Sequence, residues 1–482
     1  MHGLANTHLF QEACYINGKW IEADSKQTIP VNNPYDGSII GYVPRCGQLE
    51  TQRAIAAADA AWQGWRERPA KERCDLLWAW AHLIDKNKED LARLMTLEQG
   101  KPLKEALGEI DYANNFVKWF AEEGRRVYGD VIASNQRQQY FVVIKQPVGV
   151  VAAITPWNFP VAMITRKISP ALAVGCTVVV KPAEETPFSA LALAALAEEA
   201  GMPSGVLNVI TGTPDVIGDE LTANPSVRKL SFTGSTAVGR QLMAQCAPTI
   251  KKISLELGGN APFIVFNDAD LDAAVAGAMT SKFRNTGQTC VCANRFLIQD
   301  GIYTAFTEKL TAAVRQLKVG NGLEPGIQQG PLINEAALEK VLAHVADALT
   351  KGGRIQCGGK THEAGDLFFQ PTVITEANME MRLAEEETFG PVAPLFRFHT
   401  EEEAVAMANN TEYGLASYFY TNDSKRVWRV GEALEYGMVA VNSGMVSSEV
   451  APFGGVKQSG MGREGSKYGV DPYIEIKFLS IT

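Results

Sequence analysis

The residues best suited to chemistry lie in one stretch, Phe283 to Cys292, which reads Phe-Arg-Asn-Thr-Gly-Gln-Thr-Cys-Val-Cys. Two cysteines, Cys290 and Cys292, follow a Gly-Gln turn, and polar side chains precede them, among them Arg284. A thiol beside hydrogen-bond donors and a cation is expected to be partly ionised, and the thiolate is the form that attacks electrophiles. We therefore predict that Cys290 is a nucleophile whose surroundings favour the thiolate.

The other cysteines argue against disulfides and metal. The eight cysteines are spread irregularly, at positions 14, 46, 74, 176, 246, 290, 292 and 357, which suits a reducing compartment. No CxxC pair and no His-x3-His spacing lies near Cys290, so we predict no metal site. Cys292 is then either an inert small side chain or the partner of Cys290 in a reversible disulfide that blocks catalysis under oxidation.

A glutamate is the candidate general base. Glu256 lies between Leu255 and Leu257, before a Gly-Gly turn. Apolar surroundings raise the pKa of a carboxyl group toward neutrality, which suits a base. The alternative is a structural glutamate held by a backbone donor. None of the six histidines lies in a motif, which favours a carboxylate base over a histidine brought close by folding.

A rigid loop is predicted over Thr155 to Pro160, Thr-Pro-Trp-Asn-Phe-Pro, after a strand that ends at Ile154. An amide N–H held in such a loop stabilises an oxyanion, so Asn158 is a candidate for that role. Structural capping by the same side chain is the alternative.

Nucleotide binding is indicated by two further segments, although GxGxxG is absent. A strand runs into a helix through Gly234 and Ser235, and free N–H groups at a helix start bind anions. Lys181 and Glu184 follow a buried strand and can hold ribose hydroxyls, while the carboxylate repels a 2′-phosphate and so favours NAD over NADP. A tight turn and a solvated loop are the respective alternatives.

Alternating elements must position these residues. A hairpin is predicted at 15–20 with its turn at Asn17-Gly18, and residues 48–124 predict amphipathic helices. From 141 to about 445, apolar β-branched strands alternate with helices, two of which are predicted at Ala162–Val174 and Pro214–Ala223. This alternation is typical of parallel sheets covered on both faces. Residues 473–479 alternate like a lone strand, which predicts pairing with another part of the fold or with another subunit.

The bulk composition excludes several classes of protein. A chain of 482 residues predicts two large domains, and 46% hydrophobic with 21% charged residues is typical of a globular protein. A net charge of −9 without long blocks of one sign argues against nucleic acid or an anionic membrane as partner. No apolar run of 18 residues and no targeting signal is evident, so we predict a cytoplasmic protein, with a processed organellar protein as the alternative.

Taken in order, these motifs resemble those of the aldehyde dehydrogenase superfamily. Residues 255–262 resemble its glutamate signature and residues 283–290 its cysteine signature. Further matching segments are Pro156–Pro160, Lys181-Pro182, Gly234–Thr236 and Glu387–Pro391. The resemblance implies an α/β fold with two parallel-sheet domains, a variant Rossmann cofactor domain and a catalytic domain, plus a small β extension that joins subunits into dimers or tetramers.

The resemblance also implies domain boundaries. The NAD(P)-binding domain would comprise residues 1–124 and 147–256, and the catalytic domain residues 257–450. Residues 125–146 and 470–482 would supply the oligomerisation strands.

The same resemblance implies roles for individual residues. Cys290 would attack an aldehyde to give a thiohemiacetal, with its oxyanion on the Asn158 side chain and the Cys290 backbone N–H. Hydride would pass to the nicotinamide of NAD, or alternatively NADP, and Glu256 would activate water to hydrolyse the thioester. The implied cofactor contacts are Trp157, Lys181, Pro182, Ala183, Glu184, Gly234, Ser235, Leu257, Glu387 and Phe389.

Within the superfamily, the closest resemblance is to enzymes that oxidise succinate semialdehyde, a small aldehyde acid. Arg166 follows the Asn158 loop and Arg284 lies six residues before Cys290, and two guanidinium groups suit the carboxylate of such a substrate. The resemblance implies that Ser447 joins them. A surface ion pair is the alternative for one arginine. Glutarate semialdehyde is the alternative substrate, because one methylene is worth only ~1–3 kcal/mol of discrimination.

Two other functional classes compete with this prediction. In an acylating enzyme, coenzyme A or phosphate would take the thioester, and a water-activating Glu256 argues against that reaction. A non-catalytic protein on the same scaffold would not need Cys290, Glu256 and Asn158 together.

Overall fold

A computed structural model describes residues 2–482. The strands in this range are β1 (Cys14–Ile16), β2 (Lys19–Ile21), β3 (Thr28–Asn32), β4 (Ile39–Pro44), β5 (Asp130–Ala133), β6 (Tyr140–Pro147), β7 (Val150–Ile154), β8 (Thr177–Lys181), β9 (Leu207–Val209), β10 (Val227–Thr233), β11 (Lys252–Glu256), β12 (Ala261–Val265), β13 (Ala293–Gln299), β14 (Arg354–Cys357), β15 (Thr372–Ala377), β16 (Val392–Phe398), β17 (Ala416–Tyr420), β18 (Met438–Val441), β19 (Gly460–Met461) and β20 (Ile474–Ile481).

The α-helices in the same range are α1 (Gln48–Glu67), α2 (Ala70–Lys86), α3 (Lys88–Gln99), α4 (Leu103–Glu123), α5 (Ala162–Val174), α6 (Pro187–Glu199), α7 (Pro214–Ala223), α8 (Thr236–Cys246), α9 (Leu271–Phe283), α10 (Tyr303–Val314), α11 (Glu335–Thr350), α12 (Arg382–Glu385), α13 (Glu401–Asn409) and α14 (Ser424–Ala433). None of the helices in residues 2–482 is long and apolar enough to cross a membrane.

The first large sheet has the strand order β19-β11-β10-β7-β8-β9-β1-β2, and its central strands run parallel. Alternate residues of β7 pack on opposite faces: Val150 and Ala152 join the cluster that contains α1, whereas Val151 and Ala153 join the cluster that contains α5. Because helices cover both faces, the strands are apolar throughout. Glu256 closes β11 at the carboxyl edge of this sheet.

The second large sheet has the order β14-β15-β16-β13-β12-β17-β18 and is parallel except for the β14–β15 pair. Phe263 and Val265 face one hydrophobic cluster, and Ile264 and Phe266 lie in another. The two sheets confirm the predicted α/β fold class. The segment between β12 and β13 contains Cys290, so this sheet supports the nucleophile.

The third sheet has the order β20-β6-β5, and β20 pairs antiparallel with β6 from Ile474↔Pro147 to Ile481↔Tyr140. The predicted C-terminal strand thus completes a sheet within its own chain. Its outward side chains leave an apolar surface, with Ile476 72% exposed and Phe478 57% exposed.

Several predicted elements are confirmed in detail. The hairpin at 15–20 is the β1–β2 pair, with Ile16 opposite Lys19 and both turn residues at positive φ. The helices predicted at 162–174 and 214–223 have those bounds as α5 and α7. The division into domains stays a prediction, and the boundary placed after Glu256 falls between β11 and β12, which belong to different sheets.

Candidate active site

The segment that precedes Cys290 is a left-handed turn. Asn285, Thr286 and Gly287 have φ values of 51°, 59° and 73°, a region that L-residues, and β-branched ones above all, rarely adopt. The Asn285 backbone N–H donates to Glu105 Oε2 at 2.7 Å, and Gln99 Nε2 donates to Asn285 Oδ1 at 3.0 Å. Such strain persists only where the surroundings fix it, and it is typical of functional sites.

Cys290 opens on a cavity of about 290 Å³. Arg166, Arg284 and Ser447, the three predicted substrate contacts, line the same cavity, as does Tyr112. The structure therefore brings the predicted nucleophile and the predicted carboxylate contacts to one cavity, although they are widely separated in the sequence.

Burial of the Cys290 thiol raises its pKa to about 12. The positive charges of Arg166 and Arg284 act in the opposite direction but are smaller effects than desolvation. The prediction that the surroundings of Cys290 favour the thiolate is therefore wrong for this structure, because removal from water outweighs the cations. The thiol is protonated at neutral pH and requires a base before it can attack.

Glu256 is 2% exposed, and neither of its carboxylate oxygens has a hydrogen-bond partner among residues 2–482. Burial raises its pKa well above the usual range, the Glu464 carboxylate adds to this increase, and Arg166 opposes it. The burial and the raised pKa agree with the prediction, but the surroundings are not purely apolar, because Glu464 and Arg166 act on the carboxyl group. The alternative of a structural glutamate held by a backbone donor does not fit, because the carboxylate has no such donor.

The Asn158 loop is tied to the turn before the nucleophile. Asn158 Nδ2 donates to the Gln288 carbonyl at 3.1 Å, and Asn285 Nδ2 donates to the Asn158 carbonyl at 2.9 Å. Lys101 Nζ also donates to that carbonyl, at 2.7 Å. Capping does not explain the Asn158 side chain, because α5 begins at Ala162 and Val161 is its N-cap.

Arg166 is buried in α5, with 1% of its surface exposed. Its Nε donates to Glu464, and the Phe453 ring lies 4.0 Å from its guanidinium carbon. Its Nη2 is buried and has no hydrogen-bond partner among residues 2–482. Arg166 is thus paired in the interior rather than at the surface, and its Nη2 group, with two N–H bonds, is left for a ligand.

Arg284, the second predicted carboxylate contact, is partly exposed and lies 5.4 Å from the centre of the Phe159 ring. Its Nη1 lies 3.5 Å from the sulfur of Met445. No acidic side chain pairs with it among residues 2–482, so the surface ion pair does not describe it.

A larger cavity, of about 810 Å³, lies at the start of α8. Ser235 and Glu387 line it, and the Ser235 hydroxyl caps α8 by accepting from the Val238 N–H at 3.3 Å. A Cβ on Gly239 would lie 2.4 Å from a methyl carbon of Leu257, so the glycine at position 239 lets α8 pack closely on the Leu257 side chain. The cavity thus joins a helix N-terminus, which favours anions, to a carboxylate.

Glu387 accepts one backbone hydrogen bond, from Gly259 N at 3.3 Å. Burial raises its pKa to about 7, and Lys340 acts in the opposite direction. A carboxylate with one backbone partner can accept further hydrogen bonds from hydroxyl groups. The residues around this cavity therefore fit a nucleotide, with phosphate at α8 and ribose at Glu387. The rings of Trp157 and Phe389 meet edge to face, 5.6 Å apart.

The other predicted ribose contacts form a separate group at the carboxyl end of β8. Lys181 pairs with Glu184, and the Pro182 and Ala183 between them are buried. Glu184 lines a different cavity, of about 790 Å³. Because Lys181 offsets the charge of Glu184, the predicted repulsion of a 2′-phosphate is weakened.

Cys292 is 1% exposed and does not line the cavity on which Cys290 opens. Its sulfur lies 3.4 Å from Lys282 Nζ and 3.5 Å from the Lys282 carbonyl. Burial raises its pKa. Both interpretations of Cys292, an inert side chain or a redox partner, stay open.

Sequence reasoning missed the supporting residues Lys101, Glu109, Tyr112 and Glu464. No motif surrounds them. One signal in the sequence could have indicated three of the residues on α4. Glu105, Glu109 and Tyr112 have the spacing of a single helix face, and this face of a predicted amphipathic helix carries two acidic side chains.

Comparison with known proteins gives consistent matches over nearly the whole chain. The sequence profile of the aldehyde dehydrogenase family matches residues 20–479. The chain is 60% identical over 478 residues to succinate-semialdehyde dehydrogenase [NADP(+)] GabD of Escherichia coli (strain K12), covering 99% of each. It is also 60% identical over 478 residues to a glutarate-semialdehyde dehydrogenase of Pseudomonas aeruginosa, again with 99% of each covered. A 3-sulfolactaldehyde dehydrogenase of Pseudomonas putida is 58% identical, with 99% and 98% covered.

Solved structures agree with these sequence matches. The succinate-semialdehyde dehydrogenase of Burkholderia pseudomallei superposes with a TM-score of 0.99 at 61% identity, covering 99% of each chain. The betaine aldehyde dehydrogenase of Staphylococcus aureus in complex with NAD+ superposes with a TM-score of 0.95 at 37% identity, covering 98% of this chain and 95% of that one.

Proposed function

Because the chain belongs to the aldehyde dehydrogenase family, we propose that it oxidises succinate semialdehyde to succinate with NAD or NADP as the oxidant. The observation that carries this proposal is the pair of guanidinium groups in the cavity of Cys290. Arg166 has a buried Nη2 without a partner, and Arg284 has no acidic partner among residues 2–482. Charge-assisted hydrogen bonds from arginine to a carboxylate are among the strongest in proteins.

The relatives support an anionic substrate. Succinate semialdehyde, glutarate semialdehyde and 3-sulfolactaldehyde, the substrates named for three of them, each carry an acid group at the end of the molecule opposite the aldehyde. Two arginines in the cavity suit this shared feature. Glutarate semialdehyde is the second candidate substrate, favoured by the 60% identity to the Pseudomonas aeruginosa enzyme.

The first chemical step is addition of sulfur to the aldehyde. The Cys290 thiol gives up its proton, for which Glu256 is the candidate base, and a bond forms between Cys290 Sγ and the carbonyl carbon. The carbonyl oxygen becomes an oxyanion, which the Cys290 N–H and the Asn158 amide stabilise. Asn158 Nδ2 uses one N–H on Gln288, and its second N–H is available for this purpose.

Oxidation and then hydrolysis complete the reaction. The nicotinamide, when bound, supplies the hydride acceptor that turns the thiohemiacetal into a thioester on Cys290. Glu256 then takes a proton from water, whose oxygen attacks the thioester carbonyl. The bond from Cys290 Sγ to carbon breaks, the acid leaves and the thiol takes up a proton. A buried carboxylate with a raised pKa is a stronger base than an exposed one, which favours Glu256 for this role.

Cofactor binding is proposed for three groups of residues. Gly234 and Ser235 at the start of α8 would hold the pyrophosphate, and Glu387 the nicotinamide ribose, with Trp157, Leu257 and Phe389 as apolar neighbours. Lys181 and Glu184, with Pro182 and Ala183 between them, would hold the adenine ribose. The Lys181–Glu184 pair leaves room for either NAD or NADP, and the Escherichia coli relative is named for NADP(+).

Assembly and location belong to the same proposal. We propose a cytoplasmic homo-oligomer, a dimer or a tetramer, joined through the β20-β6-β5 sheet. The cofactor domain comprises residues 1–124 and 147–256, the catalytic domain residues 257–450, and residues 125–146 and 470–482 the oligomerisation strands.

The test is a comparison of kcat/KM for succinate semialdehyde, glutarate semialdehyde and butanal, each with NAD and with NADP. We expect both aldehyde acids to exceed butanal by roughly 100-fold or more, since each charge-assisted hydrogen bond contributes about 1.5–3 kcal/mol. A preference for butanal would refute the proposal. Coenzyme A is added as a control, and an increased rate would indicate an acylating enzyme.

A further inference from the structure

Tyr112 is a half-buried tyrosine that lines the cavity of Cys290, and the proposed mechanism leaves it without a role. It lies on α4, and its hydroxyl oxygen is buried without a hydrogen-bond partner of normal geometry among residues 2–482. Buried hydroxyl groups in native proteins are nearly always paired, so an unpaired one that lines a cavity is free to bind a ligand there.

Two buried donors without partners occur in this one cavity. The Arg166 Nη2 is the other, and Ser447 and Arg284 line the same space. Arg166 is fixed by Glu464 at Nε and by the Phe453 ring against its face. Tyr112 is fixed by edge-to-face contact with Phe116, whose ring centre lies 4.9 Å away at 76°. Both donors are thus held in place before any ligand arrives.

The phenol is in its donor form at neutral pH. Burial raises the pKa of Tyr112 above its usual value, and Arg166, Ser447 and Arg284 act in the opposite direction with smaller effect. All three residues line the same cavity as the phenol. A protonated phenol donates one hydrogen bond, and a carboxylate has about four sites that accept.

We propose that Tyr112 is a further substrate-binding residue, whose O–H donates to the acid group of the semialdehyde beside Arg166. It selects aldehyde acids over uncharged aldehydes, because an uncharged chain would leave the buried hydroxyl and the Arg166 Nη2 unpaired. The inference rests on the proposed function and adds to it a neutral donor with a defined position.

The test is Tyr112→Phe, which keeps the ring and its contact with Phe116 and removes only the hydroxyl. We expect KM for succinate semialdehyde to rise about tenfold, in line with the loss of one hydrogen bond to a charged group. kcat should change little, because the acid group lies at the far end from the aldehyde. KM for butanal should not rise. Inhibition by succinate should weaken in parallel.

Tyr42→Phe is the matched control, because it removes the same atom from a tyrosine on β4 that is 45% exposed. It should leave every constant unchanged. A Tyr112→Phe enzyme with unchanged KM for succinate semialdehyde, or with equal losses for succinate semialdehyde and butanal, would overturn the role of Tyr112 while wild type still prefers the acid. If wild type itself prefers butanal, the proposed function fails, and the role of Tyr112 fails with it.

Discussion

For the side chains of the site, the competition between desolvation and charge decides reactivity. Two arginines line the cavity of Cys290, yet burial raises the thiol pKa to about 12. A cation near a cysteine in the sequence therefore did not predict a thiolate, because the cost of removing the anion from water exceeds the attraction of nearby cations. We therefore expect the resting thiol to react slowly with oxidants and alkylating agents at neutral pH, because both react with the thiolate.

The pH dependence of Cys290 alkylation tests this interpretation. The thiol pKa is raised above its usual value, so the thiolate fraction, and with it the rate of reaction with iodoacetamide, should keep rising about tenfold per pH unit through the neutral range. Peptide mass spectrometry follows the label at Cys290, with Cys290→Ala as the blank. A rate that levels off below pH 8 would show an activated thiolate instead.

The proposed redox role of Cys292 predicts a difference in reversibility. Hydrogen peroxide would oxidise both thiols to one disulfide, with two molecules of water formed, and dithiothreitol would restore them. In Cys292→Ala, Cys290 has no partner and passes to higher oxides, so dithiothreitol should recover much less activity. If the variant loses and regains activity as wild type does, Cys292 is an inert side chain.

Between elements, α4 supports the Asn158 loop through a buried ion pair. Lys101 and Glu109 are each 1% exposed at the side chain and lie 2.5 Å apart. Glu109 Oε1 accepts from the N–H groups of Val161 and Ala162, at 3.0 and 3.2 Å. Lys101 donates to the Asn158 carbonyl. The pair thus anchors the loop and the start of α5 to α4.

Lys101→Met should leave Glu109 as an unpaired buried charge and lower the free energy of unfolding by ~3–5 kcal/mol. Urea denaturation measures this loss, and Lys101→Met/Glu109→Leu should recover much of it. Lys71→Met is the control, because it breaks the exposed pair with Asp75 and should cost no more than about 1 kcal/mol. Equal, small losses in the two single variants would contradict the proposed anchoring role.

Local sequence patterns predicted the helices and the hairpin well, but they did not predict the long-range contacts between side chains. The bounds of α5 and α7 match the helices predicted between successive apolar strands, and the hairpin follows from Asn17-Gly18. The pairing of Arg166 with Glu464 joins residues 298 positions apart, and no local spacing encodes it. Tyr112 escaped notice for the same reason, since only the folded chain brings α4 beside Cys290.

At the scale of the whole molecule, the β20-β6-β5 sheet is the proposed interface between subunits. Ile476 and Phe478 on β20 are 72% and 57% exposed, and such apolar side chains together on one strand are typical of an interface. The variant Ile476→Glu/Phe478→Lys should sediment as a smaller species than wild type. Trp428→Lys is the control, because Trp428 is 73% exposed on α14 and lies outside this sheet. An unchanged sedimentation coefficient in the double variant would contradict the interface.

The order of strands and helices along the chain predicted the two large parallel sheets. It predicted the third sheet only in part. The alternating pattern gave the fold class, because parallel strands buried on both faces are apolar throughout. The pattern did not predict which strand pairs with β20, because a strand with alternating side chains can pair with any free sheet edge. The eight-residue pairing with β6 resolves that choice within the chain.

The central claim is that Cys290 is the nucleophile, Glu256 the base and succinate semialdehyde the substrate. The most direct test of this claim is the mass of the Glu256→Gln protein after reaction with succinate semialdehyde and NADP. Without Glu256, the Cys290 thiol gives its proton only to solvent and water is no longer activated for attack. We expect hydrolysis to slow more than thioester formation, because water is a far weaker acid than the thiol, so the quenched protein should carry one succinyl group on the peptide that contains Cys290. Glu256→Gln keeps the size of the side chain and removes its basicity. A succinyl group on another residue, or rapid turnover by the variant without any adduct, would contradict the assignment of nucleophile, base and substrate together.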